Sequence, residues 1–435
     1  MSKVTPRRPS GFPEYTPAEQ IVFNGMLATI RQSYETAGFG PIETPALELA
    51  EVLLAKGGGE TEQEVFRFEK GSKDYVMHYD LTVPMARYVA EHQNDLVFPF
   101  RRSQIQKVWR AERTQKGRSR EFYQCDADVI GETDVAIDGE VIGLAAATIR
   151  ALNVGAFTIR INNRKLLTGL YEELNVTDQS TALLRIIDKL EKIGEATVRE
   201  EMAKIGLDGE AADMLLSMAK LSGPVDEVLS KLRAFGVTNN TYIRGLEELE
   251  RAIEAAQASG VAEGELVIDC SIARGLDYYT STVFETVIND MLDLGSVCSG
   301  GRYDDLASYY TDRSLPGVGI SVGITRLFDG LKSLGRLDLS RQSTSQAIVL
   351  ALDESAWGAV GELGVKLRAA GVPCELALAD TKPAKVFARA DKLNIPYVLI
   401  IGEKERAAGT VAIKDMRSGE QTDLGVSEVL KKLSN

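Results

Sequence analysis

Between positions 98 and 122 the chain carries eight basic residues, Arg101, Arg102, Lys107, Arg110, Arg113, Lys116, Arg118 and Arg120, against two acidic ones, Glu112 and Glu121. Guanidinium groups stay protonated and their paired N–H groups match two phosphate oxygens at once, so such a run suits a phosphorylated ligand. A second segment, RGLDYYTSTVFE from Arg274 to Glu285, sets Arg274 and Asp277 at the mouth of a strand with alternating aromatics. Core packing accounts for the tyrosines but not for the charges beside them. The only histidines are His78 and His92, which removes most nucleophile–histidine triads and histidine-rich metal sites. Cys125, Cys270, Cys298 and Cys374 lie far apart without CxxC spacing; they read as buried free thiols rather than a zinc site or a disulfide framework. Chemistry here is left to Arg, Asp, Glu and Tyr.

Those side chains need elements to hold them. Over 17–35 the apolar Phe23, Met26, Leu27, Ile30 and Tyr34 recur at helical spacing, which predicts a long amphipathic helix ending at Gly38 and followed by an extended segment through Pro45. From 103 to 130 the period drops to two, interrupted at 114–117, and predicts a long hairpin. On its second strand Phe122, Gln124, Asp126 and Asp128 share one face, and Tyr123, Cys125, Ala127 and Val129 the other. Gln104, Gln106, Arg110 and Glu112 likewise share a face on the first strand, leaving one apolar side to pack and one charged side for a ligand or solvent. A helix over 139–153 and a strand over 157–162 follow. Residues 166–260 are helical and acid-rich, read as an all-helical insertion. Strands resume with LVIDCSI and DYYTSTVFETVI, then a glycine-punctuated turn, SGGRYDDL. After a Ser/Arg-rich linker at 336–345, strands and helices alternate in a separate α/β domain.

The chain has 435 residues, with 50 Lys and Arg against 63 Asp and Glu and a formal charge of −13. Its length implies two or three domains, and the division expected is 1–335 and 344–435. Residues 344–435 hold twelve basic and twelve acidic residues, so the acidic excess lies in the first part. An acidic total argues against indiscriminate binding of polyanions, whereas the locally basic hairpin points to a specific anionic ligand. No apolar run approaches the ~18 residues of a membrane span and the first residues lack the apolar core of a signal peptide; the reading is a cytoplasmic protein. Gly57, Gly58 and Gly59 read as a loop near the pocket, since no Lys-Ser/Thr follows them as in a phosphate loop.

Taken together, the motifs carry a resemblance over nearly the whole length to the histidyl-tRNA synthetases, which are class II aminoacyl-tRNA synthetases. Gly38-Phe39 with Pro45 after the long helix resembles class II motif 1. Arg110-Ala111-Glu112 with Arg118, Phe122 and Asp126 resembles motif 2, and GVGISVGITR, Gly317 to Arg326, resembles motif 3. RGLDYYTSTVFE and SGGRYDDL resemble two segments peculiar to the histidine enzymes, and IPYVLIIGEKE resembles their anticodon-binding domain. The resemblance implies an α+β fold: an antiparallel six-stranded sheet with flanking helices, a helical insertion at about 166–260, and a C-terminal α/β anticodon-binding domain. It implies a homodimer that ligates L-histidine to its cognate tRNA through a histidyl-adenylate, with ATP as substrate and Mg2+ on the triphosphate, its protein ligands unassigned. Two rivals lie nearby: a synthetase-like regulatory subunit of ATP phosphoribosyltransferase, and a non-catalytic tRNA-binding sensor. Both would be expected to erode the motifs, and the first to lack the C-terminal domain.

Residue by residue, the resemblance puts Arg110 and Arg326 on the ATP phosphates, stacks adenine on Phe122, and lets Glu112 and Arg118 position the nucleotide. Asp80, Thr82 and Gln124 would hold the α-amino group of histidine. Arg274 would hold its carboxylate together with the α-phosphate, Asp128 and Tyr279 its imidazole, with Tyr278 beside them and Tyr303 closing the pocket. Arg113, Gln115 and Lys116 would meet the acceptor end of the tRNA. The chemistry agrees: adenylation brings a carboxylate against a phosphate, so fixed cations rather than a nucleophile are needed. Three positions depart from the family. His78 stands where relatives usually have arginine, Thr325 where the class often has an acid, and Asp128 is one methylene shorter than the glutamate of many bacterial relatives.

Overall fold

The computed structural model describes residues 3–55, 64–113, 118–187, 189–272, 278–377 and 381–434, with backbone only at 191 and 192. The chain forms two compact units, one of Met1–Pro13 with Met26–Gly335 and one of Glu14–Gly25 with Arg336–Asn435.

In the larger unit the alternating segments become the strands β1 (Phe100–Trp109), β2 (Glu121–Ile130), β3 (Phe157–Asn163), β4 (Thr282–Ile288), β5 (Cys298–Tyr303) and β6 (Gly317–Val322). They pair antiparallel throughout in the order β1-β2-β6-β5-β4-β3. This is the six-stranded antiparallel sheet expected, and it continues at both edges. Gly40–Pro41 adds parallel to β1, Leu266–Asp269 adds parallel to β3, and Ser222–Pro224 pairs antiparallel to the latter, making nine strands. The β1–β2 hairpin is in register from Phe100 opposite Ile130 to Trp109 opposite Glu121; its turn at 114–117 lies outside the described residues, as do Gly57, Gly58 and Gly59. The Pro17–Thr36 helix ends in a left-handed Gly38, with φ at 81°, and Tyr34 donates a hydrogen bond to the Cys125 carbonyl at 2.8 Å. Ala136–Leu152 packs across β6 and β2.

Two expectations change. SGGRYDDL is not a turn, because Cys298–Tyr303 is a central strand. Its glycines answer to neighbours far along the chain: a Cβ on Gly300 would lie 2.2 Å from the Gly319 carbonyl, and one on Gly301 2.7 Å from that of Thr282. Glycine inside a strand marks such close backbone approach. The 166–260 segment is also not all-helical. Helices run over Arg164–Glu173, Ser180–Ile187, Leu190–Lys204, Gly209–Ala219, Val225–Arg233 and Asn240–Ala258, but Ser222–Pro224 between them joins the sheet edge.

A small sheet of Leu47–Leu49, Lys73–Met77 and Arg67–Lys70 and the Thr82–Glu91 helix share a core with Tyr278, Tyr303 and Leu306, which braces one side of the site.

The smaller unit has a five-stranded sheet ordered Cys374–Ala377, Ala347–Ala351, Tyr397–Ile401, Thr410–Asp415 and Gln421–Gly425; the first three are parallel and the last two antiparallel. Side-chain alternation sorts its core. Ala347, Val349 and Ala351 meet Val360, Leu363 and Val429, while Ile348 and Leu350 meet Val386 and Ala390 on the opposite face. A short helix, Glu403–Ala408, was not evident in the sequence pattern.

Candidate active site

Period two on β2 turns Phe122, Gln124, Asp126 and Asp128 into one cavity of about 470 Å³. Arg110, Glu112 and Arg118, at the turn end of the hairpin, line it with Thr82, Tyr278, Tyr279 and Tyr303, and Arg326 enters from the Ile324–Ser333 helix. Gln104 and Gln106 share the face but not the cavity. Gln104 donates to Thr44 Oγ1 at 2.9 Å and Gln106 to the Thr44 carbonyl at 2.9 Å, so the segment before β1 covers them.

At one end three guanidinium groups converge. Arg110 donates through Nε to the Tyr79 carbonyl at 3.1 Å and its guanidinium stands 5.2 Å from the centre of the Phe122 ring. Arg118 reaches Glu112 at 3.2 Å, with Arg110 4.0 Å from the same carboxylate. Arg326 donates to the Ser296 carbonyl at 3.0 Å. Burial, then the like charges of Arg118 and Arg110, pull the Arg326 guanidinium below its ordinary range. Cations that lower one another's proton affinity form a site an anion relieves.

The other end is acidic and phenolic. The Tyr303 hydroxyl donates to Asp128 Oδ1 at 2.6 Å, and Arg102 lies 2.7 Å from Asp128 Oδ2 and 3.9 Å from Asp126 Oδ2. Space for Asp128 comes from a glycine across the ladder, because a Cβ on Gly319 would sit 2.0 Å from Asp128 Oδ1. Tyr278 meets Tyr279 and Tyr303 edge-on at 5.2 and 5.8 Å. Burial raises all three phenols, and Asp128 adds to the rise at Tyr279 and Tyr303. They remain neutral donors and acceptors at physiological pH.

Between the two ends, Gln124 Nε2 donates to Ser321 Oγ at 2.8 Å, while its Oε1 is buried and has no partner among the described residues. Asp80 is fully buried, accepts from the Val83 amide at 3.1 Å and faces the Tyr278 hydroxyl at 3.5 Å. Burial pushes its carboxyl up to about 6. It stands behind the cavity wall, whereas Thr82 is on it.

The sequence matches the histidyl-tRNA synthetase family model over residues 11–327 and the anticodon binding domain model over residues 346–435. A histidine–tRNA ligase from Clostridium tetani is 47% identical over 98% of this chain and 97% of its own length. Another from Stenotrophomonas maltophilia is 42% identical over 97% and 96%. The chain belongs to the histidyl-tRNA synthetase family. A crystal structure of histidyl-tRNA synthetase from Nostoc sp. PCC 7120 superposes with a TM-score of 0.90 at 38% identity, covering 99% of both chains.

Of the residues singled out from the sequence, Arg110, Glu112, Arg118, Phe122, Gln124, Asp128, Thr82, Tyr278, Tyr279, Tyr303 and Arg326 come together around the one cavity. Arg113 is described and exposed. Arg274, Gln115 and Lys116 lie outside the described residues. The family departures have local partners. Thr325 Oγ1 accepts from the Tyr123 amide at 3.0 Å, which ties β2 to the Ile324–Ser333 helix. His78 is wholly buried, with its ring 5.4 Å from that of Trp109 and Nε2 2.7 Å from the Lys107 carbonyl. From the sequence Arg102 is no more than part of a basic run, and Asp126 has its place on the Phe122, Gln124 and Asp128 face and its match to motif 2 but no assigned role. Extending the Gln106, Gln104 parity by two residues reaches Arg102, directly opposite Asp128 in the ladder.

Proposed function

We propose that this chain joins L-histidine to ATP in the cavity, forming histidyl-adenylate, and then passes histidine to its tRNA. The observation that carries this reading is the division of one cavity, in a member of this family, into a cluster of three guanidinium groups and a carboxylate–phenol floor. In the first step a histidine carboxylate oxygen bonds to the α-phosphorus as the bond to the β-phosphate oxygen breaks, releasing pyrophosphate. In the second a ribose hydroxyl of the tRNA attacks the carbonyl of this mixed anhydride, an ester forms as the bond from the acyl carbon to the phosphate oxygen breaks, and AMP leaves with the hydroxyl proton passing to phosphate or solvent.

Arg110 and Arg326 bind the phosphates, adenine stacks on Phe122, and Glu112 and Arg118 orient the nucleotide. Thr82, the free acceptor of Gln124 and, from behind, Asp80 take the α-ammonium group. Asp128 and Tyr279 take the ring, with Tyr278 alongside and Tyr303 as the wall. From the family resemblance, Arg274 joins the reacting carboxylate and α-phosphate, and Arg113, Gln115 and Lys116 meet the acceptor end of the tRNA. Preorganised cations at a site of growing negative charge supply rate without a nucleophilic side chain.

Mg2+ belongs to the same proposal and would neutralise the leaving pyrophosphate. Among the described residues no group of three His, Cys, Asp or Glu side chains could hold an ion, while Glu112 and Glu285 put carboxylates on the cavity wall. That donor set fits an ion carried mainly by nucleotide oxygens. The reading extends to residues 1–335 as the catalytic domain with an insertion at 166–260, residues 344–435 as the anticodon-binding domain, and a cytoplasmic homodimer built on the Pro17–Thr36 helix and the segment to Pro45. No described helix is long and apolar enough to cross a membrane.

Histidine-dependent exchange of pyrophosphate into ATP tests the first step. Removing residues 344–435 is expected to lower aminoacylation far more than exchange. Equal losses would assign that domain a folding role, and a folded full-length chain without exchange would favour a regulatory subunit.

A further inference from the structure

Arg102 is wholly buried and heads the fully buried side chains by volume among the described residues. Its Nη1 donates to Gln104 Oε1 at 3.0 Å, and Gln104 in turn holds Thr44. Its Nη2 stands 2.7 Å from Asp128 Oδ2 and 3.9 Å from Asp126, an ion pair held by charge and proximity rather than by an aligned hydrogen bond. It is absent from the cavity wall, whereas both carboxylates are on it. An apolar side chain of similar volume would fill this space at lower desolvation cost, so the guanidinium calls for a reason beyond packing.

Resting on the reading that the Asp128 end receives the substrate ring, we infer that Arg102 is a positioning and specificity residue: it pins Asp128 as a carboxylate whose lone pairs face a ring N–H, making the pocket select a side chain with such a donor. Two carboxylates share this one guanidinium, and the distances assign it to Asp128. Burial, offset by Arg102, raises both carboxyls, Asp126 to about 7; with the guanidinium closer to Asp128, Asp126 is the one of the two that takes up a proton more readily. Without Arg102 the next proton goes to Asp128, which then donates instead of accepting. The other groups acting on Asp128 are Tyr303 from β5 at 2.6 Å, Asp126 beside it on β2 and Tyr279 from the segment before β4, while Tyr278 acts on Arg102 and Asp80 on Asp126. None of these is a cation that could replace Arg102.

The test is the pH profile of kcat/KM for histidine in pyrophosphate exchange. Arg102→Met is expected to raise KM for histidine about 10²-fold, the size seen when one partner of a buried charge pair is lost, with KM for ATP within about twofold. Its acid limb should move to higher pH, and Arg102→Lys, which keeps the charge without the fork, should recover part of the loss. Arg102→Met/Asp126→Asn removes the guanidinium together with the second titrating carboxyl, so that Asp128 is the one acid left of the trio. It should still bind histidine poorly, because Asp128 has lost its anchor. Wild-type histidine kinetics in that double variant, or an unmoved acid limb in folded Arg102→Met, would overturn the inference. Asp128→Ala separates the two levels. An unchanged KM for histidine there overturns the ring-pocket reading itself, whereas a loss of ~10² beside normal Arg102→Met kinetics overturns only the role of Arg102.

Discussion

The two ends of the cavity treat the same side chain in opposite ways. Arg110 and Arg118 keep 30% and 56% of their side-chain surface and stand 4.0 and 3.2 Å from the Glu112 carboxylate, while Glu285 and, less strongly, Glu112 act on Arg326. Arg102 is fully buried and lies close to two carboxylates. The first arrangement leaves cationic charge for a polyanion to neutralise, so its interaction strengthens with the charge of the ligand and of the transition state. The second consumes its charge internally and spends it on fixing where one acceptor points. A count of basic residues cannot tell these apart; burial and partner distance can.

If that contrast is right, removing a waiting cation damages turnover and removing a fixed acceptor damages selection. The largest effect is expected for Arg326→Ala, where adenylation kcat should fall by ~10²–10³, as when one preorganised donor to developing charge is deleted, while KM for histidine changes little. Pre-steady-state adenylate formation measures this directly. A change confined to KM for ATP would mean that Arg326 only binds the nucleotide and that the contrast fails at this end.

Gly319→Ala acts on the other end. The new Cβ would fall 2.0 Å from Asp128 Oδ1 and 2.4 Å from its Cγ, so the carboxylate must move. A displacement of order 1 Å in a positioning group costs about 10²-fold in rate. The loss should appear in kcat/KM for histidine, with KM for ATP near wild type. Melting temperature on the same sample identifies a protein that has merely lost its sheet packing, and an ATP defect equal to the histidine defect would show that the two ends are not separable.

The legibility of the chain follows the same division. Parity along β2 was readable because period two is local, and it correctly aligned Phe122, Gln124, Asp126 and Asp128. What lies over each residue is not local. Gln104 and Gln106 looked as available as Gln124, but Thr44 covers them. The paired glycines of SGGRYDDL looked like a turn because the backbones of Gly319 and Thr282, which require them, lie elsewhere in the sequence. The α/β order of the smaller unit was legible for the converse reason: its strands are short apolar runs separated by amphipathic helices, and Ala347–Ala351 is buried on both faces.

His78 offers the smallest and most specific test, since it represents a third treatment of a titratable group: neither left for a ligand nor paired, but kept neutral. Burial lowers its pKa from the ordinary 6.5, against the opposing hydrogen bond to the Lys107 carbonyl. The unfolded chain therefore takes up a proton at this residue at a higher pH than the folded one does. Stability from His78 is complete above about 6.5 and declines as pH falls below that value toward the folded pKa, with a slope that cannot exceed ~1.4 kcal/mol per pH unit for a single proton. Asp80 and Asp126 act in the opposite direction, because their folded values of about 6 and about 7 lie above the ordinary 3.8, so wild type alone shows only a sum. His78→Gln removes one titration and leaves the others. The unfolding free energy of wild type minus that of the variant should be flat above pH 7 and fall as pH drops below 6.5, while the KM values for ATP and histidine at pH 7.5 stay within about twofold of wild type. A difference that stays flat down to pH 5 would mean that His78 accepts its proton inside the fold without penalty, and that burial against Trp109 does not hold it neutral.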